Sequence, residues 1–390
     1  MDAGNKTMLS HVKIYSEIGI LENGFLLMEN GRIKDFGPME DIPEESGYGE
    51  IFLPTQSKVL PGFIDVHIHG VAGADTMDAS RKALDTISSA LPKEGTTSFL
   101  ATTITQDSKA IEQALLNARH YINELQAPGQ AEILGIHLEG PFINPKKAGA
   151  QPVEHIVSPN LELFRKWEEI SGNSIKLVTL APEKPGGMEI IRYLKKKGIV
   201  ASIGHSAASY GQAAKAIKEG TLHITHLFNG MTALHHREPG VAGAALLMEE
   251  VKAEIIADGI HVSPEMVKLA YKQKGVHGLI LITDSMRAKC LTESTYKFGG
   301  QNVHVKDGKA ILPDGTLAGS TLMMDQAVRN MLAYTDCSLE DAIQMASENP
   351  AKQLNIFDRK GSITKGKDAD LVVLDKNNQV YLTLCRGRIA

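Results

Sequence analysis

Pro61-Gly62-Phe63-Ile64-Asp65-Val66-His67-Ile68-His69-Gly70 is the stretch on which the fold turns. Side chains alternate faces along a strand, so Asp65, His67 and His69 share one face while Val66 and Ile68 share the other. Polar groups would then point into a barrel near the strand's carboxyl end, and aliphatic ones towards an outer layer of helices. On this reading His67 and His69 can reach one metal ion.

Seven more strand-like runs follow, at 97–101, 133–139, 176–180, 200–204, 222–226, 254–258 and 279–284. Between them lie amphipathic, helix-like segments, among them 80–94, 108–125, 187–197, 209–219 and 264–273. Eight β-then-α units are the count of a closed barrel, whereas an open doubly wound sheet usually stops nearer six. The helix after the eighth strand is expected at 321–334, beyond an insertion of short strands around 296–312. Both ends of the chain read differently. Runs 9–15, 24–28 and 32–36, with Glu29-Asn30-Gly31 as a hairpin turn, and runs 369–374 and 380–384 are β-rich and lack helical periodicity. The fold class expected is therefore α/β: a (β/α)8 TIM barrel, 59–355, with a small β-sandwich domain built from both chain termini, 1–58 and 356–390.

At 390 residues with 43% hydrophobic and 22% charged side chains, the chain can bury a large core and is not of disordered composition. Its 41 basic and 46 acidic residues give a net charge of −5, and the lysine run Lys195-Lys196-Lys197 reads as a solvated helix end. That balance argues against nucleic acid or an anionic membrane as partner. Cys290, Cys337 and Cys385 are far apart and form no CxxC pair, which suits a reducing cytoplasm. The first 30 residues are broken by Lys13, Glu17, Glu22 and Glu29, and no apolar run reaches the roughly 18 residues of a membrane span. Neither a signal peptide nor a spanning helix is expected.

The remaining chemistry sits at strand ends. Parity aligns His137 with Glu139, with Glu139 the better ligand before Gly140-Pro141 opens a loop. His205, His226 and Asp284 end later runs, and His223, of opposite parity to His226, is expected to face the helices. Taken singly, each histidine is more often a satisfied core or surface residue. Imidazole and carboxylate at successive strand ends together describe a catalytic divalent-metal site. Zinc, iron, manganese and cobalt all fit such a set, as one ion or two.

These residues resemble the amidohydrolase superfamily, in its N-acetylglucosamine-6-phosphate deacetylase branch. The carrying motifs are PGFIDVHIHG (61–70), HLEGPFINP (137–145), GHS (204–206), THLFNGM (225–231) with HHREPG (235–240), DGIHV (258–262), TDSM (283–286) and AGSTL (318–322); GSITKGKDADLVVLD (361–375) is similar to the superfamily's returning β segment. HxH alone marks only the superfamily, whereas HLEGPF with THLFNGM and HHREPG is far more specific. The resemblance implies metal-dependent hydrolysis of the acetamide of N-acetyl-D-glucosamine 6-phosphate. By that likeness Glu139, His205 and His226 hold the main metal, His67 and His69 a second with Glu139 bridging, and Asp284 is the catalytic acid/base. It further implies a substrate shell of Ala150, Gln151, Asn229, Gly230, Arg237, Asp258, Gly259, Ile260, His261, Leu317, Ala318 and Gly319. The assembly it implies is a homodimer, with Arg237 reaching the neighbour's phosphate. Gln151 stands where many relatives place histidine, which puts that contact in question. Two other readings compete: an amidohydrolase acting on a cyclic amide or nucleobase, and a catalytically silent sugar-phosphate sensor.

Overall fold

The computed structural model describes residues 6–43 and 47–390; residues 1–5 and 44–46 of the expected N-terminal segment lie outside the described residues. Eight parallel strands form one sheet in chain order: Phe63–Ile68, Thr96–Thr103, Glu132–Glu139, Ile175–Leu180, Val200–Ile203, His223–Ile224, Lys252–Ile255 and Leu279–Leu281. Backbone contacts just beyond the strand ends close the ring. The N–H groups of His69 and Gly70 both donate to the Ser285 carbonyl (3.0 and 3.1 Å), and Asp284 N–H donates to the His67 carbonyl at 2.8 Å. The expected barrel is thus observed.

Helices cover its outside, and their caps explain where they begin. Ser80, Asp107, Asn160 and Ser209 each accept a backbone N–H with the side chain at the starts of Arg81–Ala90, Ser108–Glu124, Leu161–Ile170 and Tyr210–Glu219. Gly187–Lys197 ends in the three lysines, beside the partly negative helix C-terminus. Met324–Tyr334 follows the last strand, after a three-stranded antiparallel insertion, Thr295–Phe298, Gln301–Lys306 and Lys309–Ile311. Gly240–Leu247 is a helix that the amphipathic pattern did not reveal. All but one of its residues are buried, so it has no polar face to set a period.

Strands from both ends of the chain share the second sheet, in the order Arg388–Ile389, Val380–Cys385, Leu371–Leu374, Lys58–Pro61, Lys6–Ser16, Gly19–Glu29, Arg32–Pro38. The expected boundary at 58/59 falls inside one of these strands. Asn30 and Gly31, with φ of 53° and 78°, turn the chain between Glu29 and its register partner Arg32, as a tight hairpin requires. Leu9, Ile14, Leu26, Met28, Val59, Leu371 and Val373 form the core of this domain. It is fastened to the floor of the barrel by charge. Arg359 grips both oxygens of Glu132, at 2.9 and 2.8 Å, while Lys360 pairs with Glu132, Asp368 and Asp370. Among the described residues no helix is long and apolar enough to cross a membrane.

Candidate metal centre

At the carboxyl ends of the strands, side chains far apart in sequence converge. Glu139, the last residue of its strand, places Oε1 3.1 Å from His205 Nε2 and 3.2 Å from His226 Nε2, and these two nitrogens are 3.1 Å apart. From the other side His67 Nε2 lies 3.4 Å from Glu139 Oε1, and His69 Nε2 lies 3.3 Å from Oε2. Asp284 Oδ1 stands 3.4 Å from His67 Nε2 and 3.3 Å from His69 Nε2. Two three-residue donor sets result, His67/His69/Glu139 and Glu139/His205/His226, with Glu139 common to both.

His205, His226 and Asp284 hold this arrangement with left-handed backbone, φ 46°, 29° and 47°. Such conformations are costly for residues other than glycine and concentrate at functional sites. Gly230 lies against them: a Cβ there would stand 3.0 Å from His205 Nδ1 and 3.4 Å from His226 Cε1. Any side chain there would crowd both rings by a few tenths of an ångström on a backbone of φ 58°, and glycine avoids both costs.

The donor set fits a divalent cation. His205 Nδ1 donates to the Lys147 carbonyl at 2.8 Å, which leaves its Nε2 lone pair directed at His226 Nε2 and Glu139 Oε1. His205 Nε2 and Glu139 Oε1 thus both face His226 Nε2 as acceptors, and a cation placed among these three atoms would satisfy all of them. The electrostatics agree. Burial alone would suppress protonation of His67, but the carboxylates of Asp284, Glu254 and Glu139 lift its pKa well above the usual value. His69, under the same opposing burial, is pushed up to about 9 by Asp284 and Glu139. Glu139 is held well below the carboxylate range although burial works the other way, because His67, His205 and His226 surround it. Asp284 is likewise kept ionised against its burial, by His67 and His69.

A cavity of about 400 Å³ opens onto the centre, lined by His69, Glu139, His205, His226, Asp284 and, from the expected substrate shell, Ala150, Gln151, Asn229, Gly230, His261, Leu317 and Gly319. Phe298 of the insertion lines it too and packs edge-on against His69, with ring centroids 5.0 Å apart. Other expected residues lie elsewhere. Ala318 is fully buried behind the cavity wall, and Gly259 approaches the Tyr334 hydroxyl. Ile260 is not among the lining residues. Asp258 spends its carboxylate on the N–H groups of Ile260 and His261 and on His261 Nδ1, at 2.6 Å, so it orients His261. Arg237 is exposed and lines no part of its own chain's cavity. Gln151 is committed at both ends: its oxygen accepts Thr105 N–H at 2.8 Å and its nitrogen donates to Glu139 Oε2 at 2.7 Å.

The expectation for His223 is corrected. Its side chain is fully buried beside Ser202 Oγ (3.2 Å) and Glu254 Oε1 (3.7 Å), among groups of the barrel interior. Parity counted back from His226 fails because the strand stops at Ile224 and the backbone turns left-handed at His226. His137 also lies within the barrel, bonded to the Val66 carbonyl and Thr179. Sequence reasoning missed Glu254, whose Oε2 accepts both His67 Nδ1–H and the backbone N–H of His226 at 2.9 Å. A lone acid in the otherwise apolar run Ala253-Glu254-Ile255-Ile256-Ala257 was the available signal.

Comparison with known proteins places this geometry in context. The profile of the Amidohydrolase family matches residues 58–390. An N-acetylglucosamine-6-phosphate deacetylase of Bacillus subtilis (strain 168) is 52% identical over 98% of this chain and 96% of that protein. An N-acetylgalactosamine-6-phosphate deacetylase of Escherichia coli O157:H7 is 38% identical over 85% of this chain and 87% of that one. Among solved structures, an N-acetylglucosamine-6-phosphate deacetylase from Thermotoga maritima superposes with a TM-score of 0.88 at 39% identity, covering 98% of this chain and 99% of that chain. With a family match across the barrel and relatives this similar over nearly its whole length, the chain belongs to the amidohydrolase family.

Proposed function

We propose that this chain hydrolyses the acetamide of N-acetyl-D-glucosamine 6-phosphate to D-glucosamine 6-phosphate and acetate, using divalent metal held by Glu139, His205 and His226, with a second ion on His67, His69 and Glu139. The observation that carries the reading is the convergence of Glu139 Oε1, His205 Nε2 and His226 Nε2, at 3.1–3.2 Å from one another, on the floor of a cavity that Asp284 also enters. A divalent ion bound there supplies Lewis acidity, acidifying water towards neutral pH and polarising a carbonyl. Asp284, ionised and facing the cavity, accepts the proton of the attacking water and returns it to the sugar nitrogen as the C–N bond breaks. The products are an amine and acetate. His261, braced by Asp258, and Asn229 present hydrogen-bonding groups to the sugar, while Gln151 holds Glu139 and so does not replace a family histidine as a free substrate contact.

Among the described residues, no lysine or arginine lines the cavity. A phosphorylated substrate of a chain with net charge −5 still needs a cation, and this supports a homodimer in which Arg237, exposed on its loop, reaches the neighbouring subunit's phosphate. The free cysteines Cys290, Cys337 and Cys385 support a cytoplasmic setting. The test is acetate release from N-acetylglucosamine 6-phosphate by protein with and without bound metal, beside N-acetylgalactosamine 6-phosphate. Metal-dependent release, faster on the gluco epimer, is expected. No release after metal reconstitution favours a silent sensor, and preference for the galacto epimer reassigns the substrate.

A further inference from the structure

Glu254 sits in the strand Lys252–Ile255 with no solvent exposure. A buried carboxylate without partners is expensive, so the fold needs something in return. Its Oε2 accepts two hydrogen bonds of 2.9 Å, one from His67 Nδ1–H and one from the backbone N–H of His226. These donors belong to different halves of the centre: His67 groups with His69 and Glu139, and His226 with Glu139 and His205, while in the further grouping of His67 with His137 and Glu254 both His137 nitrogens are already bonded, to the Val66 carbonyl and Thr179.

The neighbouring imidazoles cannot substitute for it. His137 Nδ1 faces the Val66 carbonyl at 3.2 Å, and a carbonyl only accepts, so that nitrogen carries the proton. His137 Nε2 then accepts from the Thr179 hydroxyl (2.7 Å), Thr179 from Thr225 (2.7 Å), Thr225 from Ser202 (2.5 Å), and Ser202 from His223 Nδ1–H (3.2 Å). One carbonyl thereby sets the direction of the whole chain. His137 and His223 are both spoken for, and Glu254 is the hydrogen-bond partner of His67 Nδ1.

We infer that Glu254 is a positioning residue that commits His67 to ligate through Nε2 and ties both halves of the centre to one carboxylate. The inference rests on the two-cation reading proposed above. It makes occupancy of the His67/His69 half depend on a residue that touches no cation, and the Glu139/His205/His226 half, which Glu254 meets only through the backbone N–H of His226 and not through a ligand ring, depends on it less.

The test is manganese binding by wild-type protein, Glu254→Ala and Glu254→Gln, followed by stoichiometry and electron paramagnetic resonance, with thermal melting to verify the fold. Wild type should bind two ions per subunit with an exchange-coupled spectrum. Glu254→Ala should weaken the second ion about ten- to a hundredfold, the usual cost of losing such an outer partner, keep the first and show an isolated manganese spectrum. Glu254→Gln, which retains an acceptor oxygen, should fall between. Two ions bound by Glu254→Ala as in wild type, or equal loss of both, overturns the inference. Wild type that binds one ion refutes the two-cation reading before any variant is made, and this inference with it. Should Glu254→Ala not fold, 15N-histidine spectra of the zinc-loaded wild type decide: a proton on His67 Nδ1 with Nε2 bound is expected, and ligation through Nδ1 overturns it.

Discussion

The proposed mechanism gives the proton transfers to one residue, Asp284. Its left-handed backbone turns the carboxylate back over the ring of strands, and His67 and His69 keep it charged in spite of burial. A positioned proton carrier contributes roughly 10²–10⁴-fold, or about 3–5 kcal/mol of barrier. Asp284→Asn should therefore keep metal content and substrate affinity and lose at least about a hundredfold in kcat; near-normal turnover with metal retained would remove Asp284 from the mechanism. Arg237 can be tested at the same scale. A hydrogen bond to a charged group is worth about 1.5–3 kcal/mol, so Arg237→Ala should raise KM for the 6-phosphate roughly ten- to a hundredfold and change the unphosphorylated sugar much less. Equal losses on both substrates would make Arg237 a structural residue.

At the scale of elements, the period-two pattern of Asp65, His67 and His69 was readable because a parallel strand buried on both faces separates inward polar groups from outward aliphatic ones. Beyond the strand ends that regularity stops. No alternation rule foretells φ 46° at His205 or 29° at His226, and His223 was misplaced for this reason. Glu254 escaped notice because a single acid in an apolar strand has no spacing partner; its meaning comes from two donors more than twenty residues away in sequence. Gly240–Leu247 escaped for want of a polar face. The loop at Gly230 carries a prediction of its own. Gly230→Ala would press a methyl onto both histidine rings and force an L-residue into φ 58°, a backbone cost of about 1–2 kcal/mol. The protein should melt only slightly lower while metal affinity falls several-fold; unchanged metal affinity would show that the loop does not shape the centre.

The whole molecule is a barrel whose floor is locked to the terminal sheet by Glu132, Arg359, Lys360, Asp368 and Asp370. Although burial works against ionisation, Arg359 and Lys360 hold the Glu132 pKa down to about 2, below its ordinary 4.5. A depressed carboxylate stabilises the fold above its unfolded pKa and loses that contribution as pH falls from about 4.5 towards 2. Glu132 should thus contribute on the order of 1–3 kcal/mol at neutral pH, and Glu132→Gln should flatten the acid limb of the stability curve in that window; an unchanged limb would show that the lock carries no net charge coupling. Asp370, raised chiefly by burial, acts in the opposite sense and partly offsets it. This lock sits at the opposite end of the third strand from Glu139, so Glu132→Gln should leave turnover at neutral pH near the wild-type rate. The centre at the other end is tested most directly by anomalous-difference diffraction from crystals of active protein purified without added metal. A peak about 2.0–2.2 Å from Glu139, His205 Nε2 and His226 Nε2 is predicted, and active crystals with no peak among those three side chains would contradict the account.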